Sequence, residues 1–471
     1  MILFFSKDPF IIRVRRSFKI VKREHWKSKL GFMWSAIGSA VGLGSIWRFP
    51  YIVGQNGGAV FVILFCIFLI SVSLPIMLAE IVIGRKTQTN PSDAFHKLGK
   101  SKFWKGLGTM QVFTGFLVSI FYSVVCGWTL GYFLQALGGN ITNFTEPSQA
   151  IAFKNSLFDS VTWLLGCQTG FVFLSALVLY LGVQKGIEAT NKILMPLLFM
   201  FLIFLAIVGL SLPGSMKGIK FLFTPDWSMF NGKVALLALG QAFFGLSVGQ
   251  GTMITYGSYI NKDDNLFKIT IPVTISIVIV SLLAGVAIFT AVFSVGENVL
   301  GGEDLMFQTL PLVFSTMKFG ALFAALFFSL ILFAGLTSQI SAMEPFIAYL
   351  IDHKEFSRHG ATAACSLAIL LLGIPVGLSF GVLSGYTIFG ASLFTALSFF
   401  CVNILVPVGA LAAVILIGWK SPFSIFLQDL SKGLRVTLHD HLFLRSFFSL
   451  SLKYIAPIVI FITLLNLFYA S

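Results

Sequence analysis

A chain of 471 residues that is 57% hydrophobic and only 11% charged, with 52 phenylalanines, carries more apolar surface than a soluble fold of that length buries, and it reads as a polytopic membrane protein. The net charge of +14 would suit nucleic acid, but nine basic residues between Lys7 and Lys29 crowd ahead of the first apolar stretch, where anionic lipid accounts for them and no nucleic-acid partner is needed. No nucleophile–base set and no metal-ligand spacing is present, which argues against an enzyme, and Cys66, Cys126, Cys167, Cys365 and Cys401 read as core filler with no disulfide framework.

The basic N-terminus has no cleavage site leading into a soluble domain, so no removable signal peptide is expected. The first span, Leu30 to Tyr51, contains Gly38-Ser-Ala-Val-Gly-Leu-Gly44 and then Arg48 and Pro50. Three closely spaced glycines weaken a helix and let its backbone open. In hydrocarbon an open backbone survives only where it lines a protein-enclosed cavity. A helix broken there offers N–H ends to an anion and bare carbonyls to a cation, which is chemistry for a zwitterion and a metal ion. Glycines packed against a neighbouring helix would leave the same pattern. Arg48, costly inside a membrane, points instead to a watery path.

Next come Ala59–Ile83 and Leu107–Leu137, joined by a basic loop, then Cys167–Val183 and Ile193–Ser211 across a short turn. Val234–Tyr256 holds a second interruption, Ser247-Val-Gly-Gln-Gly251. Leu266–Phe293, Phe319–Leu350, Ala361–Leu378, Phe389–Ile417 and Tyr454–Tyr469 bring the expected spans to about eleven. The N-terminus and every second loop carry roughly 26 of the 32 Lys and Arg, which places the N-terminus in the cytoplasm and the C-terminus outside. The expected location is the plasma membrane, the inner membrane if the cell is bacterial. Asn140-Ile-Thr142 and Asn143-Phe-Thr145 form glycosylation sequons in an outer loop, meaningful only in a secretory-pathway host. Two interruptions five spans apart point to an inverted-repeat transporter with its site at the midplane.

The motifs are specific. Lys22-Arg-Glu-His-Trp26, the glycine run to Gly44, Trp47-Arg-Phe-Pro50 and Asn56-Gly-Gly58 open the series. Glu80 with Gly84-Arg85, Tyr122 with Trp128-Thr-Leu130, Lys185-Gly-Ile-Glu188 and Thr224-Pro-Asp226 follow. Gly240-Gln-Ala-Phe-Phe244, Thr255-Tyr-Gly-Ser-Tyr259 and Ala334-Gly-Leu-Thr-Ser338 complete it. Together they resemble the neurotransmitter:sodium symporter family, in its prokaryotic amino-acid transporter branch, over nearly the whole chain to about Pro407. The resemblance implies an all-α integral membrane fold of about eleven transmembrane helices, with two inverted five-helix repeats, broken first and sixth helices and one extra helix. It implies a cytoplasmic N-terminal segment over 1–29, repeats over 30–211 and 212–417, a cytoplasmic connector over 418–453 holding an interfacial helix, and an eleventh span over 454–471.

Carried over residue by residue, the family's second sodium site would use carbonyls of Gly38, Val41 and Ala334 with the hydroxyls of Thr337 and Ser338. Neutral oxygens of this kind suit a hard cation, although helical Thr and Ser also bond back to carbonyls four residues earlier. The first sodium site is eroded: Ser45, Gly245 and Ile277 stand where the family places side-chain oxygens. The chloride site has Phe65 for its tyrosine and Gly245 for its shared hydroxyl. Gln241 and Ser281 remain, which ordinary buried polar groups also explain, so no chloride requirement is expected.

For a substrate, the amides of Leu43 and Gly44 and the Tyr122 hydroxyl would meet a carboxylate. Carbonyls of Ala40, Phe244 and Gly245 and the Ser247 hydroxyl would meet an amine. Val118, Phe244, Gln250, Ser338 and Ala342 would surround a side chain, and Gln250 and Ala342, replacing larger apolar residues, imply a roomier and more polar pocket. Gly42 stands where amine carriers of the family place an Asp, which favours an amino acid over a monoamine. Arg23, Trp26, Tyr259 and Asp352 would form the inner gate, unless Arg23–Asp352 is a plain solvated pair. Arg48 should face an acid but meets Ser398, so Gln250, water or substrate is its expected partner. Glu80 is expected to be a protonated structural carboxyl.

The leading functional expectation is a symporter moving one Na⁺ with one amino acid. A sodium-independent exchanger or proton-linked carrier on the same fold is the first alternative. A non-transporting receptor or channel is the second, and Tyr122 and Phe244 argue against a continuous pore. Oligomeric state has no signature in the sequence.

Overall fold

Backbone amides in hydrocarbon must find partners within their own segment, and this chain answers with helices. The structure, a computed structural model, describes residues 23–141, 144–294, 305–354, 356–432 and 441–469; Thr142 and Asn143 of the sequons and the basic residues before Arg23 lie outside these. Among the described residues nine helices are long and apolar enough to cross a bilayer, and a tenth span is bent in two. The second interrupted element, predicted at the sixth span, is present as two helices, Gly232–Gly245 and Thr252–Gly257, each shorter than a full span.

Helix α1 (Lys29–Ala40) starts at Ser28, whose Oγ accepts the Gly31 amide, and ends at the glycine run. Its continuation α2 (Gly44–Gln55) is bent 49° away. Helix α3 (Ala59–Thr87) carries a π turn at Leu69–Ser73, next to Pro75, whose ring and missing N–H disturb the turn before it. A short α4 (Pro91–Gly99), the long α5 (Lys102–Leu137), α6 (Pro147–Phe158), α7 (Val161–Tyr180), α8 (Val183–Leu210) and α9 (Ser215–Phe223) follow. Helices α10 (Gly232–Gly245) and α11 (Thr252–Gly257) are separated by an irregular strap. Then come α12 (Phe267–Ser294), α13 (Thr309–Thr316), α14 (Gly320–Lys354) and α15 (Arg358–Leu378). A two-stranded hairpin, β1 (Thr387–Ile388) with β2 (Ala391–Ser392), precedes α16 (Leu393–Lys420), α17 (Phe423–Ser431) and α18 (Leu442–Asn466).

Two differences from the sequence expectation have physical causes. The last span begins at Leu442, not Tyr454, because Arg445 and Lys453 look like connector residues while sitting in an apolar run; Lys453 lies over the Phe423 ring at 5.0 Å. The loop helices α4, α6, α9 and α13 are too short for a hydropathy signal to register. All five cysteines are free thiols.

The broken helices are held by long neighbours. Helix α1 packs on α8, α12 and α14, and α5 runs along α14. Helix α11 presses directly on α3: a Cβ added to Gly84 would strike the Ile254 carbonyl, and one added to Gly257 would meet the Ile81 backbone 2.5–3.1 Å away. Connector helix α17 is tied down by a buried ion pair. Arg85 donates through Nε to Asp429 Oδ2 at 2.8 Å, through Nη2 to the Asp429 carbonyl, and through Nη1 to the Asp264 carbonyl at 2.6 Å. Both side chains are sealed from solvent. Removing one member of a buried pair costs about 3–5 kcal/mol because the other charge is left uncompensated. Asp429→Ala should therefore sharply lower the thermal unfolding temperature of the detergent-solubilised protein, and Asp429→Asn, which keeps an acceptor, should lower it less.

Candidate functional site

Where α1 stops, residues 41–43 leave the helical ladder, and the freed groups find partners on other helices. The Leu43 amide donates to the Tyr122 hydroxyl on α5 at 3.0 Å. The Gly44 carbonyl accepts Gln241 Nε2 of α10 at 2.7 Å, and the Ser39 carbonyl accepts Ser247 Oγ at 2.8 Å. The strap from Leu246 to Gly251 turns on three left-handed residues, Ser247 (φ 51°), Gly249 (φ 82°) and Gly251 (φ 76°). It is anchored by the Gly249 amide, which donates to Glu80 Oε1 at 2.8 Å. Glu80 is fully buried and forms no ion pair among the described residues.

The two breaks face each other across a cavity of ≈ 390 Å³. Its walls include Ala40, Gly42, Gly44, Val118, Tyr122, Phe244, Ser247, Gln250, Ser338 and Ala342, all singled out from the sequence. Leu43 faces the next cavity outward, and Gly245 is absent from the inner walls, turned toward Ile277. Gly42 is sterically obligatory: an added Cβ would run into Ser338 Oγ and stand 2.7 Å from the Tyr122 hydroxyl.

Among the predicted cation ligands, Gly38 of α1 meets Thr337 and Ser338 of α14 beside this cavity. Ser338 Oγ donates toward the Gly38 and Ser39 carbonyls, both at 3.1 Å. Thr337 Oγ1 bonds back to Phe333 O at 3.0 Å and Ala334 O at 3.1 Å. A hydroxyl that donates its proton keeps lone pairs, so this local bond and cation coordination are compatible. Val41 has ψ 82°, which turns its carbonyl away from the helical direction. Asn191 of α8 adds a buried Oδ1 without a hydrogen bond, abutting Gly38; the sequence reading overlooked it. At the eroded site the Ser45 and Ser281 hydroxyls are buried without hydrogen bonds, and Ile277 and Phe65 pack in the core.

Farther out lies a cavity of ≈ 850 Å³ whose walls include Trp47, Arg48, Tyr51, Phe394, Ser398 and Asn403. Tyr122 and Phe244 line both cavities and form the layer between them. Arg48 does not reach to Gln250. It donates through Nη1 to Gln241 Oε1 at 2.9 Å and lies 5.4 Å from the Phe244 ring centre. Gln241 spends its NH₂ on Gly44, which leaves its oxygen free to meet the guanidinium.

At the N-terminal end of α1 the chain is closed by charge. Arg23 Nη1 donates to both Asp352 oxygens (3.0 and 2.8 Å), Nη2 donates to Ser258 Oγ at 2.7 Å, and the guanidinium covers the Tyr259 ring. Trp26 donates through its indole to the Tyr256 carbonyl at 3.1 Å. The Arg23 and Asp352 side chains keep 15% and 20% of their accessible surface, so the pair is partly shielded at the rim of the fold. Asn90 also donates to Asp352, at 2.9 Å. Tyr259 donates to Glu344 Oε1 at 2.6 Å, and Arg358 grips both Glu344 oxygens at 2.8 and 2.7 Å. The sequence reading missed Asn90, Ser258, Glu344 and Arg358. Glu344, an acid inside the apolar run of α14, was a usable signal.

A family model described as the sodium:neurotransmitter symporter family matches residues 23–146 and 151–470. An uncharacterised sodium-dependent transporter, YhdH of Bacillus subtilis, is 39% identical over 446 residues, covering 95% of this chain and 98% of its own. An uncharacterised sodium-dependent transporter of Haemophilus influenzae is 36% identical over 462 residues, covering 95% and 99%. Among solved structures, MhsT in complex with L-phenylalanine matches with a TM-score of 0.86 and 39% identity, covering 94% of this chain and 99% of MhsT.

The inner closure yields a measurable expectation. Asp352→Ala removes the acceptor shared by Arg23 and Asn90 and loosens the start of α1. Amide hydrogen exchange over Lys29–Ala40 should accelerate in the variant, while exchange over α2 stays unchanged.

Proposed function

This chain belongs to the sodium:neurotransmitter symporter family, and on that footing we propose that it imports an amino acid by alternating access, coupled to one Na⁺ at the second site and independent of chloride. The observation that carries the reading is the α1–α2 junction, where helix-end amides and carbonyls meet the inner cavity at one point. The Leu43 and Gly44 amides with Tyr122 suit a carboxylate. The Ala40 and Phe244 carbonyls suit an ammonium, while Gly245, expected beside them, does not line the inner walls. Gly42 leaves no room for an acidic side chain, so the protein has no carboxylate there to balance a bare amine. An amino acid brings its own. The complex of MhsT with L-phenylalanine supports the same class.

Na⁺ is a second cargo on this reading, held by Gly38, Val41 and Ala334 carbonyls and by Thr337 and Ser338 hydroxyls. Ser338 belongs to both sites, because its hydroxyl meets α1 carbonyls while its side chain lines the cavity. Ion and substrate then stabilise one placement of α1 against α14, and each raises the affinity of the other. The Arg23–Asp352 closure must open for inward release, and the Tyr122–Phe244 layer must part for outward access. The basic-residue count orients the N-terminus to the cytoplasm and the C-terminus outside, in the plasma membrane. The single-ion stoichiometry rests on Ser45, Gly245 and Ile277, which supply no cage of side-chain oxygens at the first site. The same residues favour a sodium-independent exchanger as the second reading.

Uptake of a labelled amino-acid mixture into proteoliposomes separates these readings. Accumulation should require an inward Na⁺ gradient with a Hill slope of about one, survive replacement of chloride by gluconate, and vanish in Thr337→Ala/Ser338→Ala. A slope of about two would restore the first site, and uptake indifferent to Na⁺ would replace the symporter with the exchanger or proton-linked carrier.

A further inference from the structure

The inner cavity holds one uncommitted polar side chain. Tyr122 accepts the Leu43 amide and keeps its proton for the carboxylate assigned to it above, Ser247 donates to the Ser39 carbonyl, and Ser338 donates to the Gly38 and Ser39 carbonyls. The Ser39 hydroxyl is unpaired but sealed from any accessible surface. Gln250 lines the cavity, is half-buried, and its carboxamide makes no hydrogen bond among the described residues. Its backbone is fixed: a Cβ on Gly115 of α5 would lie 3.0 Å from the Gln250 carbonyl, and the flanking Gly249 is pinned to Glu80 and pressed on the Val406 carbonyl of α16. The side chain thus has a defined origin and nothing of the protein to bond. Val118, Phe244 and Ala342 supply the apolar part of the wall.

We infer that Gln250 is the specificity-determining residue of this site, and that the transported amino acid carries a neutral side chain with a hydroxyl or carboxamide. This rests on the amino-acid reading above and narrows it. A carboxamide both donates and accepts, so it matches a hydroxyl or a second carboxamide, and it favours neither acid nor base. No charged group lines the inner cavity: Arg48 lies beyond the Tyr122–Phe244 layer, and Glu80 sits behind the strap at Gly249. An apolar side chain entering the cavity would strip water from the amide and leave it unpaired. A site built around a hydrogen bond rejects ligands lacking the partner far more strongly than an apolar pocket rejects an added hydroxyl.

The test is uptake by proteoliposomes of the full chain, under an inward Na⁺ gradient, of labelled serine, threonine, asparagine, glutamine, leucine and phenylalanine, in wild type and Gln250→Leu. Wild type should take up at least one of the four polar substrates with kcat/KM about tenfold or more above leucine and phenylalanine. Gln250→Leu should erase or invert that ratio. The wild-type ranking stands without the variant and so does not depend on the variant folding. Preference for leucine or phenylalanine in wild type overturns this inference and leaves amino-acid import standing, as does a Gln250→Leu protein with an unchanged ratio. Uptake of no amino acid overturns both.

Discussion

Two helices interrupted inside a membrane create exposed peptide groups that lipid cannot satisfy, and the structure resolves this by letting each interruption serve the other. The Gly44 carbonyl of the first break is met by Gln241 from α10, and the Ser39 carbonyl by Ser247 from the strap. The Leu43 amide is met by Tyr122 on α5. These bonds are few and cross three elements, so they set where α1, α5 and α10 stand relative to one another. The cavity is what lies between the satisfied groups. Its position therefore follows from backbone bookkeeping before any ligand is considered.

The two faces of the cavity are closed by different physics. On the side of the α1 N-terminus, Arg23 with Asp352 and Arg358 with Glu344 are joined through Tyr259 into a network whose innermost acid is fully buried. On the opposite side, an aromatic pair, Tyr122 and Phe244, is backed by one arginine bonded to a neutral amide. A charge network switches between made and broken, because half-made states leave buried charge unpaired. Aromatic side chains yield by rotation, at smaller cost. The inner side thus suits an all-or-none step and the outer side a graded one.

Much of this was legible in the chain because the membrane permits so few solutions. Long apolar runs had to be helices, and a glycine run followed by an arginine inside one of them tipped the reading from a packing face to an opened, enclosed backbone. The span at Leu442 was obscured by Arg445 and Lys453, because a basic residue that reaches over an aromatic ring leaves the same sequence mark as one in a loop. Partner choice was the harder part. Arg48 bonds Gln241 and not Gln250 because the strap reverses direction at Ser247, and no spacing rule carries a left-handed turn. Arg358 and Glu344 sit on successive helices, α14 and α15, and meet only through the tertiary fold.

Gly42 carries a consequence of another kind. Its missing side chain is boxed in by Ser338 on one side and Tyr122 on the other, so this position cannot change first. A descendant of this chain that was to carry a bare amine would need an acid near here. Any single step toward it would displace the two hydroxyls that organise the site. Only a prior shift of Ser338 or Tyr122 would make room for a side chain here, so while those two hydroxyls stand where they do, a contact measured in ångströms holds position 42 to glycine.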